Sequence, residues 1–192
     1  MQIRAHLRSV NRHRRLVRHY CFKLGLYWQG LTHDLSKYSP TEFWRSAKYY
    51  QGFRSPNDQE RLVNGVTLSW LHHKGRNKHH FEYWIDYCRN EDGSMTMGGS
   101  KMPVKYVAEM FCDRIAACRV YQGDKYYDGS AYDYYQHSRG HILIHKDTDA
   151  LINRWLLLLK EEGEERAFSM IRQELKELKS GKMRYFEAKE VK

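Results

Sequence analysis

The residues with chemical potential in this chain are its histidines and a few well-placed carboxylates. Eleven histidines occur in 192 residues, and most of them gather in three places. His33 and Asp34 are adjacent; on a helix, consecutive side chains point about 100° apart, close enough to converge on one ion. Upstream, His6, His13 and His19 share one basic segment, with His6 and His13 near one helical face and His19 rotated by about 120° from His13. Downstream, His72-His73-Lys74-Gly75-Arg76-Asn77-Lys78-His79-His80 sets four histidines around one turn. Asp113 has Met110, Ala116 and Ala117 as its helical neighbours, so it faces an apolar surface. A carboxylate buried there needs a partner, and a metal ion is one of the few that repays its desolvation. Imidazole and carboxylate together suit divalent ions such as Zn, Fe, Mn, Ni or Mg.

These side chains must be positioned by helices. There are three prolines, and apolar residues recur mostly at spacings of three and four. The pattern predicts a basic amphipathic helix from residue 2 to about 24, with Gly25 near its end, and a second helix from Leu26 to about Lys37. Ser39-Pro40-Thr41-Glu42 has the form of a helix start: a serine cap, proline at the first position, glutamate three residues on. That helix runs to about Gln51. After a turn at Ser55-Pro56-Asn57 another continues to about His73, with Val63, Val66, Leu68 and Leu71 inward. A short aromatic helix is expected from about His79 to Cys88, and a loop from Asn90 to Ser100. Pro103 opens a helix ending before Gly123. The tyrosine-rich stretch to about Asp147 holds one short helix; its tyrosines are read as packing, with a base-stacking platform as the alternative. Helices follow from Asp147 or Thr148 to about Glu162 and from about Glu164 to Ser180. The expected architecture is all-α, a core over residues 1–124 and a C-terminal helical extension over 125–192 packed on the same domain.

Composition narrows the class. The net charge is +10, and the first 20 residues hold six arginines and no acid. That helix is read as a solvated face, with a nucleic-acid surface as the alternative sensed through salt-dependent binding. The C-terminal helix mixes both signs and reads as a solvated cover. No stretch approaches the roughly 18 apolar residues of a membrane span, and arginines interrupt any signal-peptide core. The four cysteines form no Cys-x-x-Cys pair and read as reduced thiols; Cys112 and Cys118 read as small core residues. A basic cytoplasmic protein, with no membrane partner, is expected.

The order His, His-Asp, His, His, Asp on successive helices resembles the HD-domain superfamily of metal-dependent phosphohydrolases, and His33-Asp34-Leu35-Ser36-Lys37 resembles its signature helix. The chain also resembles an uncharacterised bacterial family marked by His33-Asp34-Leu35-Ser36-Lys37-Tyr38-Ser39-Pro40 and by the His72–His80 segment. The superfamily resemblance implies a helical bundle with metal at its centre, held by a first-helix histidine (His13, with His6 as the alternative), His33, Asp34 and Asp113. A second metal would draw on His72 or His73 with His79 or His80. It also implies Lys37 beside the substrate phosphate; Lys74, Arg76 and Lys78 are further candidates for that contact. Asp34 and Lys37 are the residues expected to carry catalysis. The expected function is hydrolysis of a phosphate ester or anhydride, of a nucleotide or related small anionic molecule. Two rivals stand beside it: an HD-like di-iron oxygenase, and a non-enzymatic basic module that binds nucleic acid.

Overall fold

A computed structural model describes residues 2–180. The acid-free first segment forms α1 (Ile3–Lys23), whose buried stripe is His6, Val10, His13, Val17, Tyr20 and Cys21. A left-handed Gly25 turns the chain into α2 (Tyr27–Thr32). The two helices approach closely at Gly30, where a Cβ would stand 3.0 Å from Cys21 Cβ. The helix expected to run from Leu26 to Lys37 is therefore wrong in its middle: His33 is extended and Asp34 is left-handed (φ 54°), and only a short 3-10 turn, Leu35–Tyr38, follows. Asp34 is the sole non-glycine residue with positive φ among the described residues; aspartate tolerates that region better than most.

Ser39 caps α3 (Pro40–Tyr49) through the Glu42 amide. The single helix expected to reach His73 is split. Gly65 ends α4 (Pro56–Asn64) with φ 73°, and α5 (Leu68–Lys74) restarts on a Thr67 cap. Val63, Val66, Leu68 and Leu71 were expected inward; they are exposed instead. Apolar spacing marks a face, but it does not say whether a neighbour covers it. After a 3-10 turn at Phe81–Trp84 the expected aromatic helix and loop are an antiparallel hairpin, β1 (Ile85–Arg89) with β2 (Met95–Gly99), Tyr87 facing Met97 across it.

The central element is α6 (Val104–Gln122), buried on several sides. Around it pack α1, α7 (Ser130–Arg139) and α8 (Lys146–Lys179). Their shared core includes Phe111, Ile115, Tyr135, Trp155 and Leu156, each fully buried aliphatic or aromatic side chain stabilising by about 1.5–3 kcal/mol. Tyr135 is core and Tyr126 and Tyr132 pack against it, while Tyr127 and Tyr134 are exposed. Helix α8 bends at Gly163 (φ 75°, ψ 169°), so two helical runs meet there, as the sequence suggested. At the bend Glu164 receives Lys23 at 2.5 Å and Arg119 at 2.7 Å, and Asp128 accepts its amide. The protein is an all-α bundle with a long C-terminal helix; residues 181–192 of the expected extension lie outside the described residues. No helix among them is long and apolar enough to cross a membrane.

Candidate metal centre

Helix α1 presents His13, the break after α2 presents His33 and Asp34, α5 presents His73, the turn beyond it His79 and His80, and α6 presents Asp113. All seven meet at one buried point. One set is His13, His33, Asp34 and Asp113; a second is Asp34, His73, His79 and His80. Asp34 belongs to both, one oxygen to each side. Its Oδ2 lies 3.6 Å from His13 Nε2 and 3.3 Å from His33 Nε2. Its Oδ1 lies 3.2 Å from His73 Nε2 and 3.4 Å from His79 Nε2. Asp113 Oδ1 completes the first set, 3.0 Å from His13 Nε2 and 3.6 Å from His33 Nε2. Ligands about 2.1 Å from one ion stand roughly 3.0–3.4 Å apart, so these separations are those of a coordination polyhedron.

The fit rests on what these atoms lack. Asp34 Oδ1 and the Nε2 atoms of His33, His73, His79 and His80 are buried without a hydrogen-bond partner, while Asp34 Oδ2 is met by Lys37 and His13 Nε2 by Asp113, at the centre itself. Stranding so many polar atoms in one place would cost several kcal/mol unless something common satisfied them. Divalent ions would.

A supporting layer fixes the imidazoles. Glu109 Oε1 accepts from His33 Nδ1 at 2.9 Å and from His79 Nδ1 at 3.0 Å. Glu42 accepts from His73 Nδ1 at 2.8 Å and from His72 Nδ1 at 2.6 Å. Each bond turns Nε2 toward the centre and sets the tautomer that ligates. The sequence reading missed both carboxylates. Glu109 stands one turn before Asp113 and so shares its face, a signal that was available. Glu42 fitted the capping pattern so well that its inward side chain was hidden.

Charge balance at the centre is tight. Burial would raise the Asp34 carboxyl, but His33 and Lys37 reverse that and hold it well below the ordinary carboxylate range. Burial acts likewise on Asp113, and the close approach of His13 and His33 holds it down too. His80 is pushed well below the ordinary imidazole value by burial and by His79 and His73, which leaves it neutral with a free lone pair. Lys37 Nζ lies 2.9 Å from Asp34 Oδ2 with its side chain 31% exposed. Burial opposes its charge, but Asp34 and Asp113 hold it above the ordinary lysine value.

The remaining expected residues fall elsewhere. His72 joins neither set, because Glu42 draws its Nδ1 aside. His6 is buried and lines the adjoining cavity without joining a set; His19 is exposed. Lys74, Arg76 and Lys78 do not line that cavity. Asn77 is the residue of that turn directed inward, donating to Ser36 Oγ and the His73 carbonyl at 2.8 Å each. Arg76 accordingly points to the His72 carbonyl on the exposed side, and Lys78 lies over Tyr83. The cavity, about 630 Å³, has His13, His73, His80 and Asp113 at the centre, and its cations are Lys37, Arg54, Arg61 and Arg114.

No curated protein and no solved structure matches the chain. A family model does, over residues 2–157: the chain belongs to DUF5662, a family of unknown function.

Proposed function

We propose that the protein is a metal-dependent phosphohydrolase of the HD type, acting on a phosphate ester or anhydride of a nucleotide or related small anion. The observation that carries this reading is Asp34, whose two buried oxygens each face a separate set of imidazoles, four of them (His33, His73, His79 and His80) with Nε2 buried and without a hydrogen-bond partner. His13, His33, Asp34 and Asp113 would hold one ion; Asp34, His73, His79 and His80 would hold a second. Five imidazoles favour a transition metal over Mg. Such ions polarise a phosphoryl oxygen and lower the pKa of a bound water toward neutrality.

The protein's own contribution is positioning and charge. Lys37, beside Asp34 and one-third exposed, offers its ammonium to phosphoryl oxygens at the centre. Arg114 lines the cavity next to Asp113, its guanidinium stacked 4.7 Å from the Tyr135 ring. Arg54 and Arg61 stand farther along the cavity, Arg61 paired with Asp58 at 3.0 Å, and Glu82 lines it too. The cations therefore offer individual contacts to phosphoryl oxygens rather than a wall of one sign.

Asp34→Asn tests the reading, because asparagine accepts the left-handed backbone that alanine resists. The variant is expected to lose metal by elemental analysis and to lose hydrolysis across a panel of nucleoside phosphates, with far-UV circular dichroism unchanged. Full turnover in this variant refutes the reading. The nitrogen-rich donor set also suits iron; a visible chromophore with oxygen uptake in place of phosphate release would assign the oxygenase reading.

A further inference from the structure

The ridge of α1 that faces away from the candidate centre carries a second feature. Arg4, Arg8, Arg12, Arg15 and Arg18 follow one another at spacings of four, four, three and three, and all five are exposed. They form one row about 21 Å long at 1.5 Å per residue, opposite the face bearing His6 and His13. Among the described residues none of the five has a carboxylate partner. Elsewhere six arginines pair with carboxylates, Arg45 with Glu60, Arg61 with Asp58, Arg119 with Glu164, Arg139 with Asp149, Arg154 with Glu174 and Arg166 with Glu162. The row sets five arginines in succession on one helix face with no such pair. It also works against its own helix, since like charges one turn apart repel and cations near an N-terminus oppose the helix dipole. The first turn of α1 carries no acidic residue to offset them.

Beside the row, α1 and α2 frame a recess of about 320 Å³ lined by Asn11, Arg14, Arg15, Arg18, Leu31 and Tyr38. Arg14 is fixed there, donating to the carbonyls of His33 at 2.8 Å and Leu31 at 3.2 Å, with its guanidinium over the Tyr38 ring. One turn before Leu31 on α2, Trp28 stands 73% exposed. A cationic track with a rigid recess and a bare indole alongside has the two elements of single-strand recognition: charge for the backbone and a flat face for a base.

We propose that the outer face of α1 and α2 binds single-stranded nucleic acid, at a site separate from the candidate metal centre. Binding of a fluorescein-labelled oligothymidylate is to be followed by anisotropy across a salt series. Contacts to four of the five arginines give a log–log salt slope of about −3. Replacing Arg8, Arg12 and Arg15 together by alanine is expected to bring the slope to about −1. Trp28→Ala should weaken binding about tenfold. All four side chains are exposed, so metal content and circular dichroism serve as controls for folding. Asp34→Asn and chelation are expected to leave binding intact, which separates this site from the hydrolytic reading. Absence of binding, or an unchanged slope in the triple variant, overturns the proposal. So do equal affinity for a duplex with no effect of Trp28→Ala, tighter binding to phosphatidylserine vesicles than to the oligonucleotide, and loss of binding on chelation.

Discussion

Glu109 and Glu42 make different predictions about the two ions, and the difference is measurable. Glu109 uses one buried oxygen to hold His33 in the first set and His79 in the second. Glu42 holds His73, in the second set only, and His72, in neither. Replacing either carboxylate by its amide keeps shape but removes charge assistance from each hydrogen bond, about 1–1.5 kcal/mol per bond. Because the carboxylates are 5% and 2% exposed, solvent screening softens this little. Glu109→Gln is thus expected to weaken both ions, each by about tenfold, within the range seen for supporting partners of metal-binding histidines. Glu42→Gln should weaken one ion by a similar factor and leave the other untouched. Glu109→Ala goes further, stranding two buried N–H groups at about 1–3 kcal/mol each. Competitive titration of the metal-free protein with zinc against a chromophoric chelator resolves the two affinities. Unchanged affinities in Glu109→Gln, or loss of a single ion there, would show that the carboxylate does not couple the two sets.

Three further outcomes are expected. Lys37→Ala should retain its metal while turnover falls about a hundredfold, as read by elemental analysis beside a phosphate-release assay; equal turnover removes Lys37 from the chemistry. His6 is held down to about 4 by burial and by Lys37, so the unfolded chain takes up its proton first as pH falls below about 6.5. Its influence on stability is nil above that pH and grows unfavourable toward pH 4, reaching about 2 kcal/mol at pH 5. Urea unfolding of the metal-free protein at pH 7.5 and pH 5 should show His6→Gln losing less stability than wild type; parallel losses refute the assignment. Gly30→Ala would set a methyl 3.0 Å from both Cys21 Cβ and Phe22 Cε1, overpacking the α1–α2 contact by about 1–3 kcal/mol. The thermal midpoint should fall accordingly, and an unchanged midpoint would mean the helices separate freely.

What the sequence disclosed is local. The Ser39-Pro40 start, the extent of α6 and the bend near Gly163 follow from caps, prolines and glycines that act within a few residues. The superfamily resemblance implied His13, His33, Asp34 and Asp113 and left open which of His72, His73, His79 and His80 would join them; the structure gathers His73, His79 and His80 there and leaves His72 aside. The break between His33 and Asp34 was hidden, because nothing in Leu31 to Lys37 is a helix breaker; the tertiary site imposes it. The hairpin was hidden as well: β1 carries Asp86 and Cys88, and β2 ends in two glycines, so neither strand shows the alternation that reveals one. Cavity cations from α3–α4 and α6 replaced those expected at residues 74–78, because which turn faces inward was decided by Asn77, a single amide.

The bend at Gly163 bears on how the protein is made. Residues gathered at the candidate centre end at Asp113, yet the helix carrying Asp113 is seated by Trp155, Leu156, Phe168 and Ile171 from both sides of that bend. Glu164, at the bend itself, then ties α8 to Lys23 and Tyr20, more than 140 positions earlier. Such distant pairings close late, after the loop entropy between them has been overcome. During synthesis, all the candidate ligands leave the ribosome well before the segment that locks them in place. The geometry of the candidate centre is therefore tied to completion of α8, and a nascent chain stopped short of the bend would carry every candidate ligand without the scaffold to aim them.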